Sequence, residues 1–272
     1  GTAPVRVLPT ARLDGEQGLF IERALRGSPG AHARQRRGHS TELYALREYQ
    51  SGDTLRSIHW RASARRGRPV TRETIWEQHQ HVVLLLDAGR PMAARADHRT
   101  KLDHALAAGL ALMRIAVKQH DSATLVLYSR ELRRVVRVDR RTRSFRPAFE
   151  ALHAEHADLQ EPDLGPAVAW CARALPRRSL VLVVTSVLDA QGAERLAAGL
   201  QGLARRHRPV LVNLEDPGLI AHARSVPTDL PGTASKISAL AMVGRLRALH
   251  VRLRAVGVEV VDVPADRLAM GM

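Results

Sequence analysis

The stretch His81-Val-Val-Leu-Leu-Leu-Asp87 decides the fold of this chain. Its uninterrupted apolar run between two polar residues is typical of a strand that is buried on both faces, as strands of a parallel sheet are. Parallel neighbours are joined only by long crossover connections, which are usually helical. We therefore expect His81–Asp87 to be a strand of a parallel sheet that is covered by helices.

The sequence after Asp87 supplies those connections. Apolar residues at helical spacing predict a long helix over 97–119, and strands follow at 123–128 and 132–138. The second of these strands carries arginines, which are typical of an exposed edge. Helices and strands then alternate, with predicted bounds 144–153, 166–175, 179–185, 194–206, 209–214, 234–256 and 258–263. This order predicts an α/β fold, a doubly wound, mostly parallel sheet with one antiparallel edge strand.

The chain before this sheet has a different character. It contains the Gly27-Ser28-Pro29-Gly30 turn signal, an arginine-rich patch at 34–37 and short extended runs. We predict a small β-rich or irregular N-terminal region over 1–79 and a sheet domain over 80–272.

The charge of the chain is concentrated in two stretches. The 42 basic and 27 acidic residues leave a formal charge of +15. Residues 1–80 carry 14 basic and 8 acidic side chains, and residues 130–146 carry 8 and 2. Such an excess favours anionic partners, namely phosphates, acidic proteins or an anionic lipid surface, although a solvated basic face is the simpler interpretation.

Several classes of protein are excluded by what the sequence lacks. No apolar run approaches the length of roughly 18 residues that spans a bilayer. The single cysteine, Cys171, allows no internal disulfide, and its apolar neighbours at helical spacing indicate a core residue rather than a nucleophile. Phosphate-binding, dinucleotide, serine-elbow and zinc-helix motifs are all absent. We expect a cytoplasmic protein that is not an enzyme and has no catalytic residues and no cofactor.

The most distinctive segment precedes the sheet. It reads Arg47-Glu48-Tyr49-Gln50-Ser51-Gly52-Asp53 and, after two residues, Arg56-Ser57-Ile58-His59-Trp60-Arg61-Ala62-Ser63-Ala64-Arg65. Ser51-Gly52 predicts a turn and Asp53 the N-cap of a short helix, with Leu55 and Ile58 pointing inward. Trp60 is expected to be buried beside them. Glu48 and Asp53 are candidate partners for the arginines, so the segment is interpreted either as an ion-paired corner or as a binding surface.

This segment closely resembles the signature of the bacterial domain-of-unknown-function family 58. The likeness continues through Thr71-Arg72-Glu73 into Val82–Asp87 and, less specifically, to the C-terminus. Members of that family are similar to von Willebrand factor A domains and typically accompany a MoxR-type AAA+ ATPase. The resemblance therefore implies a von Willebrand factor A-like sheet and such an ATPase as partner.

The resemblance also bears on localisation. Many members begin with a membrane hairpin, and this chain begins with Gly1 rather than Met. We expect a piece of a longer protein, in which the natural chain is tethered to a membrane and this part is cytosolic.

The resemblance further implies the position of a divalent cation. A von Willebrand factor A domain supplies oxygen ligands from an Asp-x-Ser-x-Ser loop, a later Thr and a later Asp. These positions correspond here to Asp87, Gly89 and Pro91, to Asp163, and to Val187. Ser186 and Asp189 are the residues that could rebuild a site, whereas Arg90 would repel a cation or pair with Asp87 and Asp163. We expect a degenerate site without metal.

The function that fits best is a non-enzymatic protein-interaction module that acts with a MoxR-type ATPase. Its expected contact surfaces are the loop at 87–92 and the basic signature at 47–68. An alternative is binding to nucleic acid or another anionic surface, although three Phe, three Tyr and three Trp leave few side chains for base stacking. A metal-dependent hydrolase is the weakest alternative, because no complete ligand set or nucleophile with its base is evident.

Overall fold

The computed structural model describes residues 43–50, 58–74, 81–139, 141–142, 144–187 and 190–268. The chain divides into two compact units, and one boundary between them falls between His79 and Gln80. Its strands are β1 Leu43–Glu48, β2 Val70–Thr74, β3 His81–Asp87, β4 Arg95–Ala96, β5 Arg99–Thr100, β6 Ser122–Tyr128, β7 Leu132–Val138, β8 Leu180–Thr185, β9 Arg208–Glu215 and β10 Glu259–Pro264. Its α-helices are α1 Trp60–Arg66, α2 Lys101–Lys118, α3 Arg146–Leu152, α4 Gly165–Ala174, α5 Ala190–Ala204, α6 Pro217–Arg224 and α7 Leu230–Ala255.

The smaller unit is built on a two-stranded sheet. β1 and β2 pair antiparallel, and α1 lies in the connection between them. Ile58, just before α1, forms an isolated bridge with Thr71 and is buried, as the sequence predicted for its inward side. The described part of this unit is therefore β-rich with one short helix.

The larger unit is built on a six-stranded sheet with the order β10-β9-β8-β3-β6-β7. β3 pairs parallel with β6 on one side and with β8 on the other. β7 alone runs antiparallel, beside β6 at the edge. Numbered from β3, the order is the 3-2-1-4-5-6 of a doubly wound sheet. The predicted α/β fold, a doubly wound and mostly parallel sheet with one antiparallel edge strand, is confirmed.

Alternate residues of each strand point to opposite faces of this sheet. Because both sets are apolar in β3, helices cover both faces. Leu84 and Leu86 of β3 pack on the face covered by α2 and α3. Val83 and Leu85 pack on the opposite face, against α4, α5 and α7. Each fully buried side chain of this size stabilises the fold by roughly 1.5–3 kcal/mol relative to its exposed state.

Helices α5 and α7 each begin four residues before their predicted start, and two further helices differ from the prediction. The helix predicted over 97–119 begins at Lys101, because Thr100 and Asp103 form a capping box and Asp97 has a left-handed φ of 58°. Residues 95–100 instead form the short hairpin of β4 and β5. Helix α6 was not predicted at all.

Among the described residues, no helix has the length and apolar character that crossing a membrane requires.

Candidate functional site

The topology of the sheet places a candidate site at the C-terminal ends of β3 and β8. The chain winds to one side from β3 and to the other side from β8, so these neighbours form the switch point of the sheet. In open parallel sheets, ligands bind in the crevice beside such a point. Asp87 is the last residue of β3, and Thr185 is the last residue of β8.

The carboxylate of Asp87 lies at the bottom of this site and is fully buried. The Thr185 hydroxyl donates a hydrogen bond of 2.5 Å to Oδ2, and the Gly89 amide donates one of 2.7 Å to Oδ1. Burial raises the pKa of Asp87 to about 6, assisted by the nearby charges of Asp158 and Glu161, although both hydrogen bonds oppose that rise. Each carboxylate oxygen already accepts a hydrogen bond from the protein.

The loop after Asp87 is held against the loop at 158–162. The Arg90 amide donates to the Gln160 carbonyl at 2.8 Å, and the Asp158 amide donates to the Ala88 carbonyl at 2.8 Å. A Cβ on Gly89 would lie 2.9 Å from the Gln160 carbonyl oxygen, so the two backbones approach too closely for a side chain there.

Arg90 lies at the mouth of the site. Its Nε donates to Glu161 Oε1 at 2.6 Å, and Arg195 Nη2 lies 3.7 Å from Glu161 Oε2. Arg90 and Glu161 also form an ion pair, and all three side chains are about half exposed. The sequence left two expectations for Arg90, repulsion of a cation or pairing with Asp87 and Asp163. Arg90 pairs with Glu161, whereas the carboxylate of Asp87 is fully buried beneath the loop.

The other residues expected at a cation site each have a different structural role. Asp163 Oδ1 accepts from the Gly165 amide at 2.8 Å, at the beginning of α4. Pro91 is buried in a short 3₁₀ turn, and Val187 is a buried apolar residue. Ser186 Oγ donates to the Leu214 carbonyl at 2.9 Å. Asp189 lies outside the described residues.

Several positions that the resemblance assigns to cation ligands lack a side-chain oxygen. No side-chain oxygen is offered by Gly89, Pro91 or Val187. The Thr185 hydroxyl donates its hydrogen bond to Asp87. Within the part of the chain that the structure describes, no three His, Cys, Asp or Glu side chains are grouped as metal ligands would be. The site contains the buried carboxylate of Asp87 and, at its mouth, the ion pair of Arg90 and Glu161.

Lys101 is a residue that sequence reasoning missed. Its side chain is 1% exposed, although it is the first residue of α2. Nζ donates to Ser186 Oγ at 2.9 Å and lies 3.6 Å from Asp216 Oδ2, so it links α2 to the C-terminal ends of β8 and β9. Burial lowers the pKa of Lys101, and Asp216 opposes that fall. The available signal was its rarity, since the chain has three lysines among 42 basic residues.

The signature segment is described only in part. Gly52, Asp53 and Arg56 lie outside the described residues, and so does the side chain of Arg47, which lies in β1. Glu48 pairs with Arg68, which confirms Glu48 as an ion-pair partner of an arginine. The Tyr49 amide donates to the Pro69 carbonyl at 3.0 Å.

The residues around α1 have clear structural roles. His59 Nδ1 accepts from the Ala62 amide at 3.1 Å and caps the helix. Ser63 Oγ donates to the His59 carbonyl at 3.1 Å and accepts from the Val70 amide at 2.9 Å, which ties α1 to β2.

Trp60 is 69% exposed, so the prediction that it is buried was wrong. Ile58 is buried, whereas no residue of α1 is buried. The indole of Trp60 therefore faces solvent. Arg61 and Arg65 beside it are exposed as well.

The arginines of the edge strand β7 interact within the protein. Arg133 and Arg134 both pair with the buried Glu155, at 2.9 and 3.0 Å. Arg137 lies 5.7 Å above the ring centroid of Trp170, within the range of a cation–π contact. Much of the charge in this basic stretch is therefore already partnered.

Cys171 of α4 is fully buried in the core, as predicted. Burial raises the pKa of its thiol to about 12. The thiolate that a nucleophile needs is therefore negligibly populated near neutral pH.

The chain is similar to one family of proteins and to several solved structures. The family model described as "Protein of unknown function DUF58" matches residues 45–222. The crystal structure of the SpRpn10 VWA domain is similar at 11% identity and a TM-score of 0.42, with 71% of this chain and 98% of that chain covered. The conserved hypothetical protein BatB from Bacteroides thetaiotaomicron is similar at 14% identity and a TM-score of 0.41, with coverage of 68% and 90%.

A third similar structure is that of an aerotolerance-related membrane protein from Bacteroides fragilis, at 14% identity and a TM-score of 0.35. It covers 62% of this chain and 99% of that chain. No curated protein sequence matches the chain.

Proposed function

Since this chain belongs to the DUF58 family of proteins of unknown function, we propose that it is a non-enzymatic protein-interaction module that acts with a MoxR-type AAA+ ATPase. The ATPase is proposed from the resemblance of the segment at 47–65 to the signature of that family.

The observation that carries the proposal is the exposure of Trp60. A tryptophan that is 69% exposed contributes little to folding, and it lies between His59, which caps α1, and Arg61, which is exposed. Tryptophan and arginine are the residues most enriched at the energetic centres of protein interfaces. We call Trp60, Arg61 and Arg65 the signature surface and assign it the main contact with the partner.

A second contact surface is formed by Arg90, Glu161 and Arg195 at the mouth of the switch-point site. These side chains are about half exposed and carry charges of both signs. They suit a polar interface in which a basic group of the partner replaces an arginine as the ion-pair partner of Glu161. Each surface is proposed independently of the other.

The proposal includes a degenerate metal site. Both oxygens of Asp87 accept hydrogen bonds from Gly89 and Thr185, and Val187 supplies no ligand. Isothermal titration with Mg²⁺ or Mn²⁺ should therefore give no saturable binding in the micromolar range. Saturable micromolar binding that disappears in Asp87→Ala would refute this part of the proposal.

Capture of the ATPase tests the partner. The full chain is immobilised and incubated with the neighbouring MoxR-type ATPase in the presence of ATP, ADP or no nucleotide. We expect capture that falls at least tenfold in Trp60→Ala and in the double variant Arg61→Glu/Arg65→Glu. Val226→Ala and Arg173→Glu are matched controls on exposed residues elsewhere, and they should leave capture unchanged.

Absence of capture under every nucleotide condition would contradict the partnership. Equal loss of capture in the control variants would contradict the assignment to the signature surface. Because Trp60 is exposed, its replacement should change the free energy of unfolding by no more than about 0.5 kcal/mol. A loss of capture can then be separated from a loss of folding by circular dichroism.

A second candidate function is binding to an anionic surface, and the same residues favour it. An exposed tryptophan beside exposed arginines also suits the boundary of an anionic membrane, where the indole lies at the headgroup level. Sedimentation with vesicles of phosphatidylcholine, with and without 30% phosphatidylserine, distinguishes the two functions. Binding to the anionic vesicles that Trp60→Ala abolishes would favour this second function.

A further inference from the structure

Helix α7 carries apolar side chains on two opposite faces. One face packs into the protein through Ala239, Met242, Leu249, His250 and Leu253. The opposite face carries four large apolar side chains whose exposed fractions run from 49% to 85%, namely Leu230, Ile237, Leu240 and Val251. A surface helix of a globular protein normally has charged and polar residues on its outer side. The outer side of α7 is therefore built for a contact that the fold itself does not make.

The exposed apolar residues follow a seven-residue spacing. Leu230, Ile237, Gly244 and Val251 are each seven residues apart, and Leu240 lies three residues after Ile237. We call these five residues the outer stripe. A row of exposed alanines runs beside it, at Ala234, Ala241 and Ala248. A seven-residue apolar repeat keeps one side of a helix facing a second helix along its length, and small residues let the two helices pack closely.

Gly244 lies in the middle of the outer stripe and is exposed. Glycine in the interior of a helix is less stable than alanine, because its backbone loses more conformational freedom on folding. A Cβ at Gly244 would meet no atom of the described residues within 4 Å. Packing within the described protein therefore gives no reason for a glycine here. Its missing side chain leaves a depression in the stripe that can receive a large side chain of a second helix.

The charge of α7 indicates which kind of helix fits the outer stripe. The helix contains five basic residues and no acidic one, and the basic residues lie on both sides of the stripe, at Lys236, Arg245, Arg247, Arg252 and Arg254. Among the described residues, Glu194 pairs with Arg252, whereas no acidic side chain pairs with the first three. Packing of α7 on a second copy of itself would bring like charges together. A helix with acidic flanks would instead form ion pairs with them.

We propose that the outer stripe of α7 binds an amphipathic helix of a partner protein, in which acidic residues lie along both sides of an apolar face. That apolar face packs on the stripe, with a large side chain over Gly244, and its carboxylates pair with the basic residues that flank the stripe. The outer stripe shares no residue with the signature surface. Its binding goes beyond the proposed function and does not require the ATPase.

Three labelled peptides test the chemistry of the partner. Each has three heptads built on alanine and carries fluorescein. The first has leucine at the first and fourth positions of every heptad and glutamate at the fifth and seventh. The second has lysine in place of glutamate, and the third has serine in place of leucine. Fluorescence anisotropy with the full chain should show saturable binding of the glutamate peptide and at least tenfold weaker binding of the other two.

A lysine peptide that binds as tightly as the glutamate peptide would overturn the proposal, because the flanking charges would then select nothing. A serine peptide that binds as tightly would overturn it as well, because the apolar stripe would then make no contact.

Variants test where the glutamate peptide binds. Ile237→Glu should weaken binding at least tenfold, because it places a carboxylate in the outer stripe. Leu159→Glu is the matched control, since Leu159 is an exposed apolar residue outside α7, and it should leave binding unchanged. If Ile237→Glu does not fold, Leu240→Glu decides the outcome. Peptide binding that survives substitution in the stripe would overturn the proposal.

Reversal of charge tests the flanking residues separately. The double variant Arg245→Glu/Arg247→Glu should bind the glutamate peptide at least fivefold more weakly and the lysine peptide at least fivefold more tightly. Both side chains are exposed, so the thermal midpoint should not change. A variant that keeps the original preference between the two peptides would overturn the ion pairing.

Two further measurements address other occupants of the outer stripe. A dimer of the full chain that Ile237→Glu dissociates, measured by light scattering, would identify a second copy as the occupant and overturn the proposal. Sedimentation with phosphatidylserine vesicles that Ile237→Glu abolishes, without any peptide binding, would identify a membrane and overturn it too. Failure of the glutamate peptide to bind would leave ATPase capture by the signature surface unaffected, so the two proposals fail separately.

Discussion

At the scale of single residues, the position of Asp87 could be predicted from the sequence, but its contacts could not. Its place at the end of a buried strand could be predicted from the run of apolar residues before it. Its hydrogen bond from Thr185 could not, because the two residues are 98 positions apart and meet only through strand order. Glu161 was missed for the same reason, since its contact with Arg90 depends on how two loops meet.

The pKa of Asp87 makes its contribution to stability depend on pH. Burial raises the pKa from its usual 3.8 to about 6, so the folded state binds a proton that the unfolded chain has already released. Stability from this group is greatest below about pH 4 and is lost as the pH rises past 6. The loss should reach about 3 kcal/mol.

Urea unfolding of the wild type and of Asp87→Asn at several pH values checks this. Asparagine is isosteric and does not titrate, so the variant should gain stability relative to the wild type between pH 4 and pH 7. A difference between the two proteins that stays constant over this range would contradict the raised pKa.

The Thr185 hydroxyl should contribute to stability through the same carboxylate. Thr185→Val keeps the shape of the side chain but leaves Asp87 Oδ2 without its hydrogen-bond donor. We expect a loss of about 1–3 kcal/mol in the free energy of unfolding, together with a further rise in the pKa of Asp87. Unfolding in urea at pH 7 measures the first effect, and an unchanged midpoint would show that the bond is not stabilising.

At the scale of elements, strands were predicted better than helix ends. β3 and β7 have the predicted bounds, because a continuous apolar run or a run of arginines and valines ends at a clear change of residue type. Helix α2 begins four residues later than expected, since residues 97–100 are polar and belong to the hairpin of β4 and β5.

The missed helix α6 carried a recognisable signal. Asp216 precedes Pro217 and accepts hydrogen bonds from the Gly218 and Leu219 amides at 2.9 and 3.1 Å. An N-cap aspartate followed by proline at the first helical position is a start signal that the apolar spacing alone does not reveal.

The capping box of α2 should contribute measurably to stability. Thr100 Oγ1 accepts from the Asp103 amide, and Asp103 accepts from the Thr100 amide. Thr100→Ala removes one half of this exchange and should lower the free energy of unfolding by about 1 kcal/mol. Thermal unfolding checks the change against Thr233→Ala, in the first turn of α7. The expectation fails if the two variants have the same midpoint.

At the scale of the whole molecule, the alternation of strands and helices predicted the doubly wound sheet, but the sequence did not predict which arginines are partnered within the protein. The +15 is a bulk property of the sequence. The structure engages Arg133, Arg134 and Arg137 in β7 with Glu155 and Trp170, whereas Arg61 and Arg65 remain exposed. Composition cannot distinguish an arginine that holds an edge strand from one that faces a partner.

This distribution predicts weak and unselective binding to nucleic acid. Affinity for duplex DNA should fall steeply with salt, as expected for release of counterions, and it should not exceed the affinity for heparin. Fluorescence anisotropy between 50 and 200 mM NaCl checks both expectations. Binding to DNA that persists at the higher salt and is tighter than binding to heparin would favour the nucleic-acid function.

Burial of Lys101 also determines how the protein responds to amine-directed reagents. Of the three lysines, Lys118 is exposed, Lys236 is partly exposed and Lys101 is enclosed. Acetylation in the folded state should therefore reach two lysine side chains, while the third becomes reactive only when the ends of β8 and β9 separate from α2. The rate at which the peptide that contains Lys101 becomes acetylated then reports how often the switch point opens. Amine cross-linkers can react with two lysine side chains on the native surface.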